Sequence, residues 1–251
     1  PELHPRQDGG CGILACEPWG AVVSPEAVRG ALARCASPRL VAIVHAETST
    51  GAWQSVPEIA KLAHDAGALI VLDTVTSLGG CPVDIDDWGI DAAYSGTQKC
   101  LSCPPGLSPL TFSSRALRRV ADRKSKPRSW YFDLSLIGGY FGSSRVYHHT
   151  APINMIYAID EALKMVFEEG LDARFQRHHV NHCALMDGLA VLGLRPAARW
   201  DDRLWMLNCV SVPPGLVERD VRGRLLARHG IQIGGGLGPL AGKVWRIGLM
   251  G

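Results

Sequence analysis

The sequence predicts an α/β protein, with a mainly parallel sheet carrying helices on both faces and a smaller α+β module after it. Three observations carry that expectation. Two short apolar runs, Leu40–His45 and Leu69–Asp73, read as strands, and a helical segment, Pro57–Ala66, separates them. Strand, helix and strand at that spacing make a unit whose strands run parallel with a right-handed crossover. Beyond Gly170 the pattern changes to one long helix and then short strands around a second helix.

Taken in order, residues 1–10 are polar, with proline and glycine, and are expected to form a loose tail. Ser24-Pro25 opens a helix to about Ala36, with serine as the N-cap and proline at the first helical position. Leu40–His45 is expected to be a buried strand. The helix from Pro57 stops at Gly67, a residue suited to the left-handed turn that ends helices. The strand ending in Asp73 follows at once, and Tyr94 closes a second, weaker strand. Leu107–Phe112 reads as a strand and Ser114–Lys124 as a helix, while the aromatic, glycine-rich stretch Trp130–Phe141 reads as irregular. Ile153, Ile156, Tyr157, Ala158, Leu163 and Val166 give Pro152–Glu169 an amphipathic helical period. Gly170 breaks it, and a further helix runs from Leu171 to Leu192. Strand Leu204–Val212, helix Val217–His229 and strands Ile231–Ile233 and Val244–Leu249 complete the chain. The expected organisation is a tail (1–10), the later part of a large α/β domain (11–169) and an incomplete small α+β domain (170–251). Both ends look cut, because the last strand runs straight to Gly251 and the first clear βαβ unit already bears the candidate ligand carboxylate.

Composition narrows the function class. Across 251 residues, 47% are hydrophobic and 20% charged, enough apolar material for a real core. A formal charge of +2 leaves no footprint for nucleic acid or an anionic membrane, and no apolar run approaches the roughly 18 residues of a membrane span. The first residues lack the basic-then-apolar order of a signal peptide. Eight cysteines without a framework spacing read as reduced thiols in a cytoplasmic compartment, with peroxisome and mitochondrion left open.

The chemistry gathers at two strand ends. Asp73 closes one apolar run, and Lys99 stands on the turn Ser95-Gly96-Thr97-Gln98-Lys99 after the next strand. In α/β proteins the carboxyl ends of strands face the crevice where ligands bind. An acid and an amine there suit pyridoxal phosphate, whose aldehyde needs a lysine and whose ring nitrogen needs an acidic partner. Plainer readings exist for each residue: a surface lysine, a turn aspartate, a turn-forming Thr48, a solvent-facing Gln98, a surface-paired Arg246. Weaker candidates are the lone Cys100–Cys103 pair, without a second pair for zinc, and His178 with His182, read as an exposed helix face. Adjacent His148 and His149 are expected to point different ways, as neighbouring histidines usually do, and do not suggest a metal. Gly234–Gly238 leads into a proline turn, which suggests a turn near a site entrance rather than a dinucleotide loop.

Five segments together carry a resemblance: His45-Ala46-Glu47-Thr48-Ser49-Thr50-Gly51, Leu72-Asp73-Thr74-Val75-Thr76-Ser77-Leu78-Gly79-Gly80, Tyr94-Ser95-Gly96-Thr97-Gln98-Lys99, Tyr147-His148-His149-Thr150 and Gly235-Gly236-Leu237-Gly238-Pro239. On these the chain resembles the class V pyridoxal-phosphate aminotransferases, in particular the alanine–glyoxylate (serine–pyruvate) branch, from about Pro18 to Gly251. The resemblance implies a fold type I transferase that uses pyridoxal 5′-phosphate and no metal. It implies that Lys99 is the Schiff-base lysine, that Asp73 pairs with the ring nitrogen, and that Val75 packs under the ring. Thr48 would lie near the 3′-oxygen and Gln98 beside the phosphate. Tyr147 and Thr150 would reach the phosphate of a neighbouring subunit, making a homodimer with composite active sites. Arg246 would grip the α-carboxylate of the substrate. The implied reaction is ping-pong transfer from alanine or serine to glyoxylate or pyruvate. The chain departs from the family by lacking an upstream segment, with its ring-stacking aromatic residue and phosphate-binding turn, and a final helical segment. A truncated, catalytically incompetent fragment is therefore one alternative. Another class V enzyme, such as an aminophosphonate–pyruvate aminotransferase, is a second. A cysteine desulfurase would carry histidine where Gln98 stands.

Overall fold

The computed structural model describes residues 19–251, so the expected tail at 1–10 lies outside the described residues. Helix α1 (Pro25–Ala33) begins where the Ser-Pro pair predicts: Ser24 Oγ accepts the Ala27 N–H at 3.2 Å, satisfying a donor the helix cannot. Strand β1 (Leu40–Val44) leads into a hairpin not foreseen from the sequence, β2 (Ala46–Glu47) and β3 (Ala52–Trp53), and then α2 (Pro57–Asp65). Gly67 takes the left-handed conformation after α2, at φ +75°. Strand β4 (Leu69–Asp73) runs parallel to β1 in the register Val44–Asp73, and β5 (Ala92–Tyr94) runs parallel to β4 with Asp73 opposite Tyr94. Strand β6 (Leu110–Phe112) closes the sheet antiparallel, giving the order β1-β4-β5-β6.

Alternation along β4 separates its two faces. Ile70 and Leu72 pack into a core with Val28 of α1 and Ile59, Leu62 and Ala63 of α2, while Leu69, Val71 and Asp73 face the other way. The expectation of a buried strand at Leu40–His45 is corrected: Leu40, Ala42 and Val44 are exposed, because β1 stands at the sheet edge. A buried carboxylate stitches the opposite end. Asp91 accepts from Ile70 N–H (3.0 Å), Ser113 Oγ (2.9 Å) and Arg115 Nε and Nη2, and bonds His64 of α2 at 3.0 Å. Burial alone would raise this carboxyl, but the Ile70 amide and then Ser113, His64 and Arg115 hold it below its ordinary value.

Helix α3 (Ser114–Ala121) is capped by Ser113, and α4 (Leu134–Phe141) falls in the stretch expected to be irregular. Asp133 supplies the reason, since its carboxylate accepts the Ser135 N–H at 3.0 Å as an N-cap that overrides two helix-weakening glycines. Helices α5 (Ile153–Glu169) and α6 (Leu171–Val191) meet at Gly170 as expected. Strand β7 (Leu207–Ser211), helix α7 (Glu218–His229), and strands β8 (Gly234–Gly235) and β9 (Val244–Gly248) follow, forming an antiparallel sheet in the order β7-β9-β8. Its core combines Met186 and Leu189 of α6 with Val210 and Trp245. The strand expected at Ile231–Ile233 lies instead at the two glycines. A Cβ on Gly235 would come within 2.9 Å of Glu218 Oε1, so a side chain here would push the Glu218 carboxylate aside. A third cluster, Cys81, Cys100, Leu204, Met206 and Leu207 with Trp53 and Trp205, joins the two sheets. Among the described residues no helix is long and apolar enough to cross a membrane, and Cys35, Cys81, Cys100, Cys103, Cys183 and Cys209 are free thiols.

Candidate active site

The parallel pairing of β4 with β5 sets Asp73 beside the start of the lysine turn. The Asp73 carboxylate is held on both oxygens: Val75 N–H donates to Oδ1 at 2.9 Å, and Tyr94 O–H donates to Oδ2 at 2.7 Å. The Tyr94 hydroxyl is pushed up to about 12, by burial first and then by the hydrogen bond and negative charge of Asp73. Below it, Ser95 Oγ donates to the Thr74 carbonyl at 3.0 Å, and Thr74 N–H donates to the Tyr94 carbonyl at 2.9 Å. These bonds lock the segment after Asp73 to the segment before Lys99. Val75 and Gln98 approach over Gly96, where a Cβ would sit 2.8 Å from Gln98 Oε1 and 3.4 Å from Val75 Cγ1. Lys99 is half-buried and its carbonyl accepts the Ser102 N–H at 2.9 Å, while Thr97 Oγ1 donates to the Pro104 carbonyl at 2.6 Å.

Arg174 on α6 braces that turn from behind. Its buried guanidinium donates through Nε to the Gly79 carbonyl (2.9 Å) and through Nη2 to the Cys100 carbonyl (2.5 Å) and Ser102 Oγ (3.1 Å). Nη1 donates to Glu169 Oε2 at 2.8 Å, and Glu169 also pairs with Arg177. The hydrogen bond from Arg177 is the main influence that brings the Glu169 carboxyl down to about 2. Ser102 sits at φ +57°, a strained setting for a residue with a side chain, and its hydroxyl lies on Arg174.

Thr48 lies on the loop between β2 and β3, where Ser49 N–H donates to Glu47 Oε1 at 2.7 Å and Gly51 N–H to the Glu47 carbonyl at 2.9 Å. Arg246 on β9 reaches this loop, donating through Nη1 to the Thr48 carbonyl at 3.3 Å and through Nε to the Gly235 carbonyl at 2.7 Å. Two carbonyls thus aim the fork, and Nη2 makes no hydrogen bond among the described residues. His45, preceding the hairpin, is buried between Trp53 and Trp88, accepts the Trp53 Nε1–H at 2.8 Å, and is lowered to about 4 by burial.

The fold therefore brings Asp73, Val75, Gln98 and Lys99 onto one sheet end, and Thr48 against Arg246. Tyr147 and Thr150 stand apart on the exposed loop between α4 and α5. They bond each other at 3.0 Å and make no hydrogen bond to the other candidates among the described residues. One expectation is corrected: His178 and His182 are buried, not exposed. With Arg174, Met186 and Leu189 they form the inner stripe of α6, His178 bonding the Leu249 carbonyl at 3.1 Å and His182 the Asn208 side chain at 2.6 Å. Their four-residue spacing marked one helix face, but polar residues gave no sign that this face was the inner one. Tyr94 and Arg174 were missed. Tyr94 becomes visible only once the strand register is known, and Arg174 carries no local signal.

The model of the family described as aminotransferase class-V matches residues 22–241, and the chain belongs to that family. It is 39% identical to the (S)-ureidoglycine–glyoxylate transaminase of Bacillus subtilis over 268 aligned residues, covering 100% of this chain and 64% of that protein. It is 41% identical to the alanine–glyoxylate aminotransferase of Callithrix jacchus over 222 residues, covering 85% of this chain and 53% of the relative. The crystal structure of alanine–glyoxylate aminotransferase from Nostoc sp. superposes with a TM-score of 0.90 at 50% identity, covering 94% of this chain and 62% of that one. The chain thus spans about half to just under two thirds of the length of these relatives. Its α/β fold is that of the fold type I transferases.

Proposed function

We propose that this chain carries the catalytic centre of a pyridoxal-phosphate-dependent aminotransferase that moves an amino group from alanine or serine to glyoxylate or pyruvate. The observation that carries the reading is the pairing of β4 with β5, which sets a doubly hydrogen-bonded Asp73 and the Lys99 turn at adjacent strand ends. The donor set suits the cofactor. Each Asp73 oxygen accepts one hydrogen bond and keeps lone pairs for a protonated ring nitrogen. Val75 offers an apolar surface beside it, Gln98 and Thr48 offer polar groups, and Lys99 offers the amine. When bound, pyridoxal phosphate supplies an aldehyde that takes up amino groups and a ring that stores electrons.

The protein residues then divide the work. Lys99 would hold the aldehyde through its amine and, as a free amine, would move the proton at the substrate Cα. Asp73 keeps the ring nitrogen protonated by a charge-assisted bond. Arg246, aimed by the Gly235 and Thr48 carbonyls, presents its remaining N–H groups to an α-carboxylate. Glyoxylate as acceptor is supported by its place in the names of all three relatives reported above. A homodimer in which Tyr147 and Thr150 serve the partner's phosphate is supported by the exposed aromatic face around them, with Trp130, Phe132, Phe141 and Tyr157 all open to solvent.

The test is an absorbance titration of the chain with pyridoxal phosphate beside a Lys99→Ala control. A borohydride-reducible band at roughly 400–430 nm that the control lacks, and that alanine bleaches, is the expected result. Equal spectra from the two proteins would sink the assignment of Lys99.

A further inference from the structure

We infer that Tyr94 is a positioning residue for Asp73, fixing the plane of the carboxylate that meets the cofactor ring; this rests on the reading of Asp73 given above. The terminal torsion of an aspartate is soft, so a carboxylate with one anchor can swing about it. Here it has two. Val75 N–H holds Oδ1 from the chain immediately following, and Tyr94 O–H holds Oδ2 from the neighbouring strand. The parallel register makes Asp73 and Tyr94 direct partners, so their side chains rise from the same face of the sheet. A backbone amide two residues away restrains only one oxygen. The cross-strand phenol supplies the second point that defines a plane.

Two further features support the assignment. Tyr94 is 39% exposed, so it is not a core filler held mainly by packing. A phenol also has a single O–H to donate, and burial together with the Asp73 charge keeps it protonated far above neutral pH. It is therefore a donor at every pH where the enzyme works, and it leaves the outward lone pairs of Oδ2 available to a ring N–H. Phenylalanine at this position keeps the ring and removes only the donor.

The experiment combines two readouts on wild type, Tyr94→Phe, Asp73→Asn and the double variant. In the protein without cofactor, a spectroscopic titration of tyrosinate should show one tyrosine ionising near 12 in wild type. That component should vanish in Tyr94→Phe and move toward the ordinary value near 10 in Asp73→Asn. With pyridoxal phosphate, Tyr94→Phe should weaken binding by roughly tenfold, the scale of one charge-assisted bond, yet change it less than twofold when Asp73 is already asparagine. If Asp73→Asn weakens binding and Tyr94→Phe does not, the inference about Tyr94 is overturned while the site reading stands. If neither variant changes binding, the site reading fails; binding by none, wild type included, is the outcome expected of an incompetent fragment. The titration then judges the pair by itself, and the lack of a late-ionising tyrosine overturns it.

Discussion

Replacing Arg174 with methionine isolates what one buried guanidinium does for the lysine turn. Methionine keeps most of the apolar stem that packs along α6 and removes the donors. Three acceptors lose their partner: the carbonyls of Gly79 and Cys100, and Ser102 Oγ. Glu169 keeps Arg177 and is not left as an isolated charge. A buried acceptor stripped of its donor costs about 1–3 kcal/mol. Ser102 is exposed and can turn to water, so the two carbonyls dominate and the sum is on the order of 2–6 kcal/mol. For a chain of this size each kcal/mol moves the melting midpoint by about 2–4 °C, so thermal unfolding followed by far-ultraviolet circular dichroism should shift down by roughly 4–24 °C. A midpoint within about 1 °C of wild type would refute the claim that these hydrogen bonds hold the turn.

Three further outcomes follow from described geometry. His45 is buried neutral and lowered to about 4, below its unfolded value near 6.5, so its contribution to stability is full above 6.5 and is lost as pH falls toward 4. His45→Gln keeps an acceptor for Trp53 and does not titrate, and urea midpoints measured across that window should fall less steeply than in wild type. Gly51 stands at φ +74° with Leu207 O only 2.9 Å from the site of a Cβ; Gly51→Ala should cost on the order of 2–4 kcal/mol. Gly193→Ala, at φ +69° in open space, should cost about 1 kcal/mol, and equal costs in chemical denaturation would contradict the steric argument. Asp91→Ala unpairs the Ile70 amide and Arg115 at once and should cost about 3–5 kcal/mol by the same measurement; a loss below 1 kcal/mol would show that water replaces the network.

What could be read from the sequence was what local chemistry decides. Ser24-Pro25 and Gly67 mark helix ends because the groups they satisfy are a few residues away. Asp73 and the Lys99 turn could be placed side by side because strand ends in an α/β layout share one edge. Two of the errors involve partners remote in sequence, and a third is local. The Gly234–Gly235 strand exists because both glycines pair with β9 and Gly235 lies against the Glu218 carboxylate, which no propensity encodes. The inner stripe of α6 begins with Arg174, His178 and His182, and polarity read as exposure fails where carbonyls and an asparagine wait inside. The helix at Leu134–Phe141 was hidden by its glycines and betrayed only by the Asp133 cap.

The bond from Arg246 to the Thr48 carbonyl spans 198 positions of the chain. Closing so long a loop brings little reward until both sheets have formed. Asp73 and the turn that carries Lys99, by contrast, stand at the ends of neighbouring strands of one sheet and make no hydrogen bond to β9 among the described residues. During synthesis Asp73 and Lys99 therefore leave the ribosome well before Arg246, whose bond to the Thr48 carbonyl must wait for β9.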